Sequence, residues 1–318
     1  MLIMASDPSS DVSRVLERQQ YKMHGSHSAV KLCHWVQQSL LKGRPCYKQE
    51  FYGIRSHRCL QMTPVVNQCT HNCLFCWRVQ GFEAQNVEWK GPEEILDACM
   101  AEQRKLVSGF GGDPRCSKEQ WKESREPKHV AISLSGEPTM YPRLGEFIEI
   151  CHRRGMTTFL VTNGTLPEVL EKLDPLPTQL YVTVAAPNEE VYKRLCVPRI
   201  PDGWEKLRRT LELFPSLGTR TVVRHTLVNG WNVGWEDEYA KLDAIADPMF
   251  IEPKGYVFVG DSRRRMTIDN MPSPAMVAEF GRRLGDRMGM ELLMERPDSR
   301  VALLGGKGAQ VKIPGLDE

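Results

Sequence analysis

The segment Cys69-Thr70-His71-Asn72-Cys73-Leu74-Phe75-Cys76 carries three thiols at the spacing C-x3-C-x2-C. Thiolates are the ligands that iron–sulfur clusters need, and three on one loop can converge on a [4Fe–4S] cubane while leaving its fourth iron open. An open iron can chelate the amino and carboxylate groups of a substrate. Zinc is the plainer alternative, but structural zinc sites take four protein ligands. His71 is the nearest fourth candidate and sits awkwardly between two cysteines. Three inert core thiols would have no reason to fall at this spacing.

A second set lies upstream. Cys33, Cys46 and Cys59 are spaced thirteen and thirteen residues apart, and Cys69 follows ten later. Spacing this wide says little alone, but beside a cluster-binding loop it fits a second cluster. Lys48 stands two residues after Cys46, among Lys42, Arg44, Arg55 and Arg58. A nucleophilic lysine needs a lowered pKa, which neighbouring cations supply. Most lysines are instead solvated surface groups, so the residues leave both readings open. Cys99, Cys116, Cys151 and Cys196 have no partnered spacing and read as core or loop thiols.

Two short segments end expected strands: Ser135-Gly136-Glu137-Pro138-Thr139 and Thr162-Asn163-Gly164. Each alone is an ordinary turn signal. Physically, a glutamate at the C-terminal end of a barrel strand could pair with a substrate ammonium, because ligand sites gather at that face. Arg263-Arg264-Arg265 and the stretch Arg44–Arg58, interleaved with Tyr47, Phe51, Tyr52 and His57, combine charge with aromatic rings. That mixture suits RNA phosphates and splayed bases. A solvated charged face is the alternative, and it is preferred for Arg208-Arg209.

The elements that must position these groups alternate. Strands are expected at 63–67, 129–134, 157–162, 179–185, 220–227 and 248–251. Helices are expected at 28–41, 93–107, 144–154, 167–172, 189–195, 204–214, 236–246 and 274–288. Alternation of this kind predicts parallel βα units, about six of them, and so an incomplete (β/α)6 barrel of the TIM-like α/β class. The expected division is an N-terminal arm and extension (1–60), the partial barrel (61–295) and a loosely attached tail (296–318), with residues 111–128 as a surface insertion. The 42 basic and 40 acidic residues leave a net charge of +2, which names no partner. No apolar run approaches the ~20 residues of a membrane span, and Met1–Val12 lacks a secretory apolar segment. The expectation is a cytoplasmic protein without a membrane partner.

The cysteine triplet with Phe75 before its last member, followed in order by the Gly-Glu-Pro and Asn-Gly segments, resembles the radical S-adenosylmethionine superfamily. That resemblance implies that Cys69, Cys73 and Cys76 hold a [4Fe–4S] cluster and that Glu137, Asn163 and Thr183 contact S-adenosylmethionine. Thr183 stands where serine is expected.

From Cys33 to Met294 the chain is more specifically similar to the 4-demethylwyosine synthases. The similarity rests on both cysteine sets, Cys46-Tyr47-Lys48, Ala186–Tyr192, Arg224–Gly230, Ile251–Tyr256 and Asn270–Ser273. It implies condensation of N1-methylguanosine, next to the anticodon of phenylalanine tRNA, with a two-carbon fragment of pyruvate. It further implies a second [4Fe–4S] cluster on Cys33, Cys46 and Cys59 and a Schiff base between Lys48 and pyruvate. The chain resembles the shorter, archaeal-type form without a flavodoxin-like domain, which implies a separate electron donor such as a flavodoxin or ferredoxin. Another radical S-adenosylmethionine enzyme with an auxiliary cluster is the nearest alternative, and a non-enzymatic zinc-binding RNA protein is the alternative of another class.

Overall fold

A computed structural model of the chain describes residues 14–66, 68–80 and 87–316. The first 13 residues of the expected arm and extension, and Asn67, the expected end of a strand, lie outside these residues. In the described part of the arm Leu16 is buried. Two compact units interleave along the chain. The first is Met1–Pro45, Arg55–Gln68 and Val79–Thr158, and the second is Cys46–Ile54, Cys69–Arg78 and Phe159–Glu318. The segments expected from the sequence, divided at residues 60 and 295, are not these units. Among the described residues no helix is long and apolar enough to cross a membrane.

In the first unit, β1 (Lys22–His24), β2 (Ser28–Val30), β3 (Cys59–Thr63) and β4 (His129–Ile132) are neighbours in that order. The first three pair antiparallel, and β3 and β4 pair parallel. The helix expected from Ser28 is therefore β2 followed by a helix over His34–Lys42, because Ser28-Ala29-Val30 is better used as a buried strand. The strand expected at 63–67 ends at Thr63 instead. The expected surface insertion contains a helix, Lys118–Ser124, capped by the Ser117 hydroxyl and burying Ser124.

The chain crosses between units inside β5 (Thr157–Thr162). In the second unit, β5, β6 (Gln179–Thr183), β7 (Arg220–Leu227) and β8 (Phe250–Gly255) run parallel. The helix over Pro274–Met288 starts as its sequence dictates, with Ser273 accepting from the Met276 amide at 3.2 Å and proline at the first position. The expected tail is a correction. β9 (Glu291–Arg296) and β10 (Val301–Gly305) form a hairpin whose second strand pairs antiparallel with β8, with all five of its residues buried. Beyond it, the Ile313 amide donates to the Tyr52 carbonyl at 3.0 Å.

Side chains of a strand alternate between faces, and the second unit uses both. On one face His225 meets Asp243 at 2.9 Å and stacks near Tyr239 and Phe280 of the covering helices. The opposite face carries Phe159, Tyr181, Val222 and Phe250, on which a short helix, Tyr47–Tyr52, lays Tyr47, Phe51 and Tyr52. Burying each large ring contributes roughly 1.5–3 kcal/mol, enough to hold a helix too short to persist alone.

Candidate active site

The cysteine loop lies against residues 192–199, where the chain makes a wide π-helical turn at Tyr192–Cys196. The Asn72 and Leu74 amides donate to the Val197 and Leu195 carbonyls at 2.9 Å each, and the Arg199 amide donates to the Thr70 carbonyl at 2.8 Å. His71 Nε2 bonds the Tyr192 hydroxyl at 2.6 Å. Burial, aided by Arg78, lowers its pKa to about 3, so the ring is neutral and is occupied by tyrosine. Arg78 donates to the His71 carbonyl at 2.7 Å. Burial opposes the charge of Arg78, but Cys69, Cys76 and Cys73 outweigh it and raise its pKa. One guanidinium is thus in electrostatic reach of all three sulfurs. That field favours ionised sulfurs, against the contact with Cys196 that raises the Cys73 thiol and the burial that raises the Cys76 thiol; three thiols on one loop are the donor type a cubane takes.

The loop is closed from the other side by Gly260–Arg265. The Asp261 amide donates to the Trp77 carbonyl at 2.9 Å. Arg265 Nε donates to the Leu74 carbonyl at 3.2 Å, Nη2 donates to the Cys76 carbonyl at 2.5 Å, and Nη1 pairs with Asp261 at 2.8 Å. Gly260 is required here, since a Cβ would stand 2.4 Å from the Trp77 carbonyl oxygen. Of the three arginines expected at RNA, Arg265 therefore turns inward to the cluster loop. Arg264 points outward with its side chain 83% exposed, and Arg263 lies over the Phe258 ring at 5.6 Å.

Asn163, directly after β5, donates to the Thr70 hydroxyl at 2.8 Å and reaches Cys69 Sγ at 3.7 Å, while its own oxygen accepts from Thr165. Thr183 ends β6 and is half-buried. In the first unit, Glu137 is buried and its carboxylate accepts from the Thr139 amide and hydroxyl at 3.2 and 2.7 Å. The turn before it exists only because residue 136 is glycine: a Cβ there would lie 1.7 Å from the Val65 carbonyl oxygen. Cys33 and Cys59 border one apolar cluster around Val36, Leu40 and Val107. In the second unit, Cys46 heads the Tyr47–Tyr52 helix.

Lys48 is buried on that helix, with Nζ 4.4 Å from the Phe159 ring centroid and 4.5 Å from that of Tyr181. Cations favour such ring faces. Around it the parallel register sets Thr183 opposite Arg224 and Arg224 opposite Glu252. Glu252 is fully buried. One oxygen accepts from the Tyr52 hydroxyl, and the other accepts from the Tyr47 hydroxyl at 3.1 Å and from Arg224 at 2.7 and 3.2 Å. Burial alone would raise the pKa of Glu252, but Arg224, Tyr52 and Lys48 outweigh it and hold the carboxyl below its ordinary value. Burial raises the phenols of Tyr47, Tyr52 and Tyr181 far above theirs, so they stay neutral donors. Lys254, two residues along β8 from Glu252, is lowered to about 8, first by burial and then by Arg224. Arg224, Glu252 and Lys254 went unassigned in the sequence, although charged side chains alternating along an apolar strand were a legible signal.

Residues 118–242 match the radical SAM superfamily, and residues 245–305 match the wyosine base formation family. The chain is 52% identical over 301 residues to the S-adenosyl-L-methionine-dependent tRNA 4-demethylwyosine synthase of Pyrococcus abyssi, covering 92% of this chain and 88% of that protein. The Methanocaldococcus jannaschii synthase is 39% identical, with 95% and 97% covered. A solved structure of TYW1 with a lysine–pyruvate adduct bound superposes with a TM-score of 0.87 at 38% identity, covering 95% of this chain and 97% of that one. A crystal structure of archaeal TYW1 gives 0.80 at 35%, covering 95% and 98%. The expected incomplete α/β barrel of the radical SAM type is the fold, and the protein is an enzyme. The chain belongs to the family of S-adenosyl-L-methionine-dependent tRNA 4-demethylwyosine synthases.

Proposed function

We propose that this enzyme condenses N1-methylguanosine, next to the anticodon of phenylalanine tRNA, with a two-carbon fragment of pyruvate to form 4-demethylwyosine, and that Lys48 captures the pyruvate. The observation that carries this reading is a buried lysine amine against two aromatic rings, on a helix headed by Cys46. Lysines are seldom buried without a task. The amine of Lys48 adds to the ketone carbon, water leaves, and an imine remains that holds the fragment in place. The names of the relatives and the lysine–pyruvate adduct of the neighbouring structure support this assignment.

Cys69, Cys73 and Cys76 would hold the first [4Fe–4S] cluster, with Glu137, Asn163 and Thr183 on S-adenosylmethionine. Bound there, the cluster would supply the electron for reductive cleavage of S-adenosylmethionine, whose 5′-deoxyadenosyl radical is the species able to take a hydrogen from the base's methyl group. Cys33, Cys46 and Cys59 would hold a second [4Fe–4S] cluster; each heads a regular element and is half-buried. Arg263 and Arg264 would meet tRNA phosphates, while Arg265 positions the cluster loop. Electrons would come from a separate flavodoxin or ferredoxin, and the cytoplasm is the compartment that fits a tRNA substrate.

Borohydride reduction of the anaerobic enzyme with pyruvate tests the central assignment. One peptide, the one containing Lys48, is expected to gain a reduced pyruvate adduct. Lys48→Arg should lose both the adduct and the tricyclic product while keeping its iron, since a guanidinium stays protonated. An adduct on another lysine would overturn the role of Lys48.

A further inference from the structure

Three cations and one carboxylate share the face of the second unit on which Lys48 lies: Lys48, Arg224, Lys254 and Glu252. Arg224 is satisfied. It stacks over Tyr181 at 4.4 Å, donates to Glu252 at 2.7 and 3.2 Å, and donates to the Tyr47 hydroxyl at 2.8 Å. Both oxygens of Glu252 are taken by Tyr52, Tyr47 and Arg224. Lys254 differs. Its Nζ donates to the Ser299 carbonyl at 2.9 Å and lies 5.0 Å from the Tyr47 ring centroid, and among the described residues no carboxylate forms an ion pair with it. An ammonium withdrawn from water without a counter-ion is costly. Here it is also repelled by Arg224 and Lys48, and burial with these neighbours outweighs the attraction of Glu252 and Cys46 and lowers its pKa. Its side chain keeps some accessible surface. The three cations of this cluster outnumber its one carboxylate.

We propose that Lys254 binds the carboxylate of the α-keto acid and so selects keto acids over neutral ketones. This rests on the reading of Lys48 as the residue that captures the carbonyl. A keto acid presents its carboxylate one bond from its carbonyl, so one amine can engage each end. Lysine suits the role: a compact ammonium with protons remaining after Ser299 can accept a carboxylate without displacing the Arg224–Glu252 pair. Lys254 is a specificity residue, and it takes no part in bond making.

Oxamate separates this proposal from the imine, because it carries the carboxylate but its amide carbonyl does not condense with amines. Calorimetry on the anaerobic holoenzyme should show oxamate binding to wild type, weakened about 10- to 100-fold in Lys254→Met, the loss expected for a hydrogen bond to a charged group. Lys254→Arg should fall within a few-fold of wild type. In borohydride trapping, the preference of wild type for pyruvate over hydroxyacetone should collapse by a similar factor in Lys254→Met, with the adduct still on Lys48. Cluster absorbance and melting temperature report whether each variant is folded, and Lys254→Gln carries the same expectation if the methionine variant is not. Oxamate binding in Lys254→Met within twofold of wild type, or no oxamate binding by wild type, overturns the proposal. A normal oxamate pattern with no adduct on Lys48 leaves Lys254 in place and overturns the imine instead.

Discussion

Glu252→Leu tests whether the polar network under Lys48 is a structural keystone. The substitution removes a fully buried carboxylate that accepts from Tyr47, Tyr52 and Arg224, leaving the Arg224 guanidinium, only 13% exposed in its side chain, with the Tyr47 hydroxyl alone. Removing one partner of a buried, hydrogen-bonded ion pair costs roughly 3–5 kcal/mol, because the remaining charge stays out of water. A body the size of the second unit loses about 2–4 °C of melting temperature per kcal/mol, so a drop of about 10 °C is expected. Arg224→Met should cost a similar amount through the stranded carboxylate. The double variant Arg224→Met/Glu252→Leu should lose far less than the sum, since no unpaired charge remains and both replacements are apolar. Anaerobic melting followed by circular dichroism reads all four proteins. Additive losses, or a Glu252→Leu midpoint within about 2 °C of wild type, would refute the view that these charges hold each other.

Other expectations come from separate parts of the molecule. Gly136→Ala should yield little folded protein, since its Cβ would meet the Val65 carbonyl oxygen at 1.7 Å in a left-handed turn, whereas Gly218→Ala, with nothing within 4 Å, should melt as wild type. His129 is held neutral, with a pKa of about 3, first by burial and then by Arg58; its Nε2 accepts from the Arg55 amide. In the unfolded chain this ring protonates below about 6.5, so its contribution is fully present above that pH and is lost as pH falls toward 3. Between pH 6.5 and 5 the wild-type protein should therefore lose about 1.5 kcal/mol more stability than His129→Gln, read from denaturant unfolding. Arg264→Gln should reduce the salt slope of tRNA binding by about one without changing iron content. Arg265→Gln should lower cluster retention, measured as iron per chain, because it frees the Leu74 and Cys76 carbonyls.

How far the fold could be read ahead depended on how local each signal was. The helix over Pro274–Met288 carries its own cap and its own glycine stop, and it was legible to the residue. The cysteine loop stands out in the sequence by its spacing alone. The buried strand Val301–Gly305 was not legible, because four apolar residues before two glycines look the same in a tail as in a sheet. Only their pairing with β8 and β9, which no local pattern reports, decides between the two. The Tyr47–Tyr52 helix was hidden for a related reason: at six residues it has no periodicity of its own and exists by packing on the sheet. Arg224 and Glu252 are 28 residues apart, and only the strand register joins them.

The row formed by Thr183, Arg224 and Glu252 across three parallel strands also constrains how such a chain can change over time. Gain or loss of a single codon within β7 would turn every later side chain of the strand to the other side. Arg224 would then face the covering helices, and His225 would leave Asp243 for the space beside Lys48. Both exchanges strand a charge in the interior. Point substitutions at these strands can be absorbed or compensated, but a change of length cannot. Tolerated insertions and deletions should accordingly fall in connecting turns, such as the one around Gly218, and variant libraries built from this enzyme should place their length diversity there.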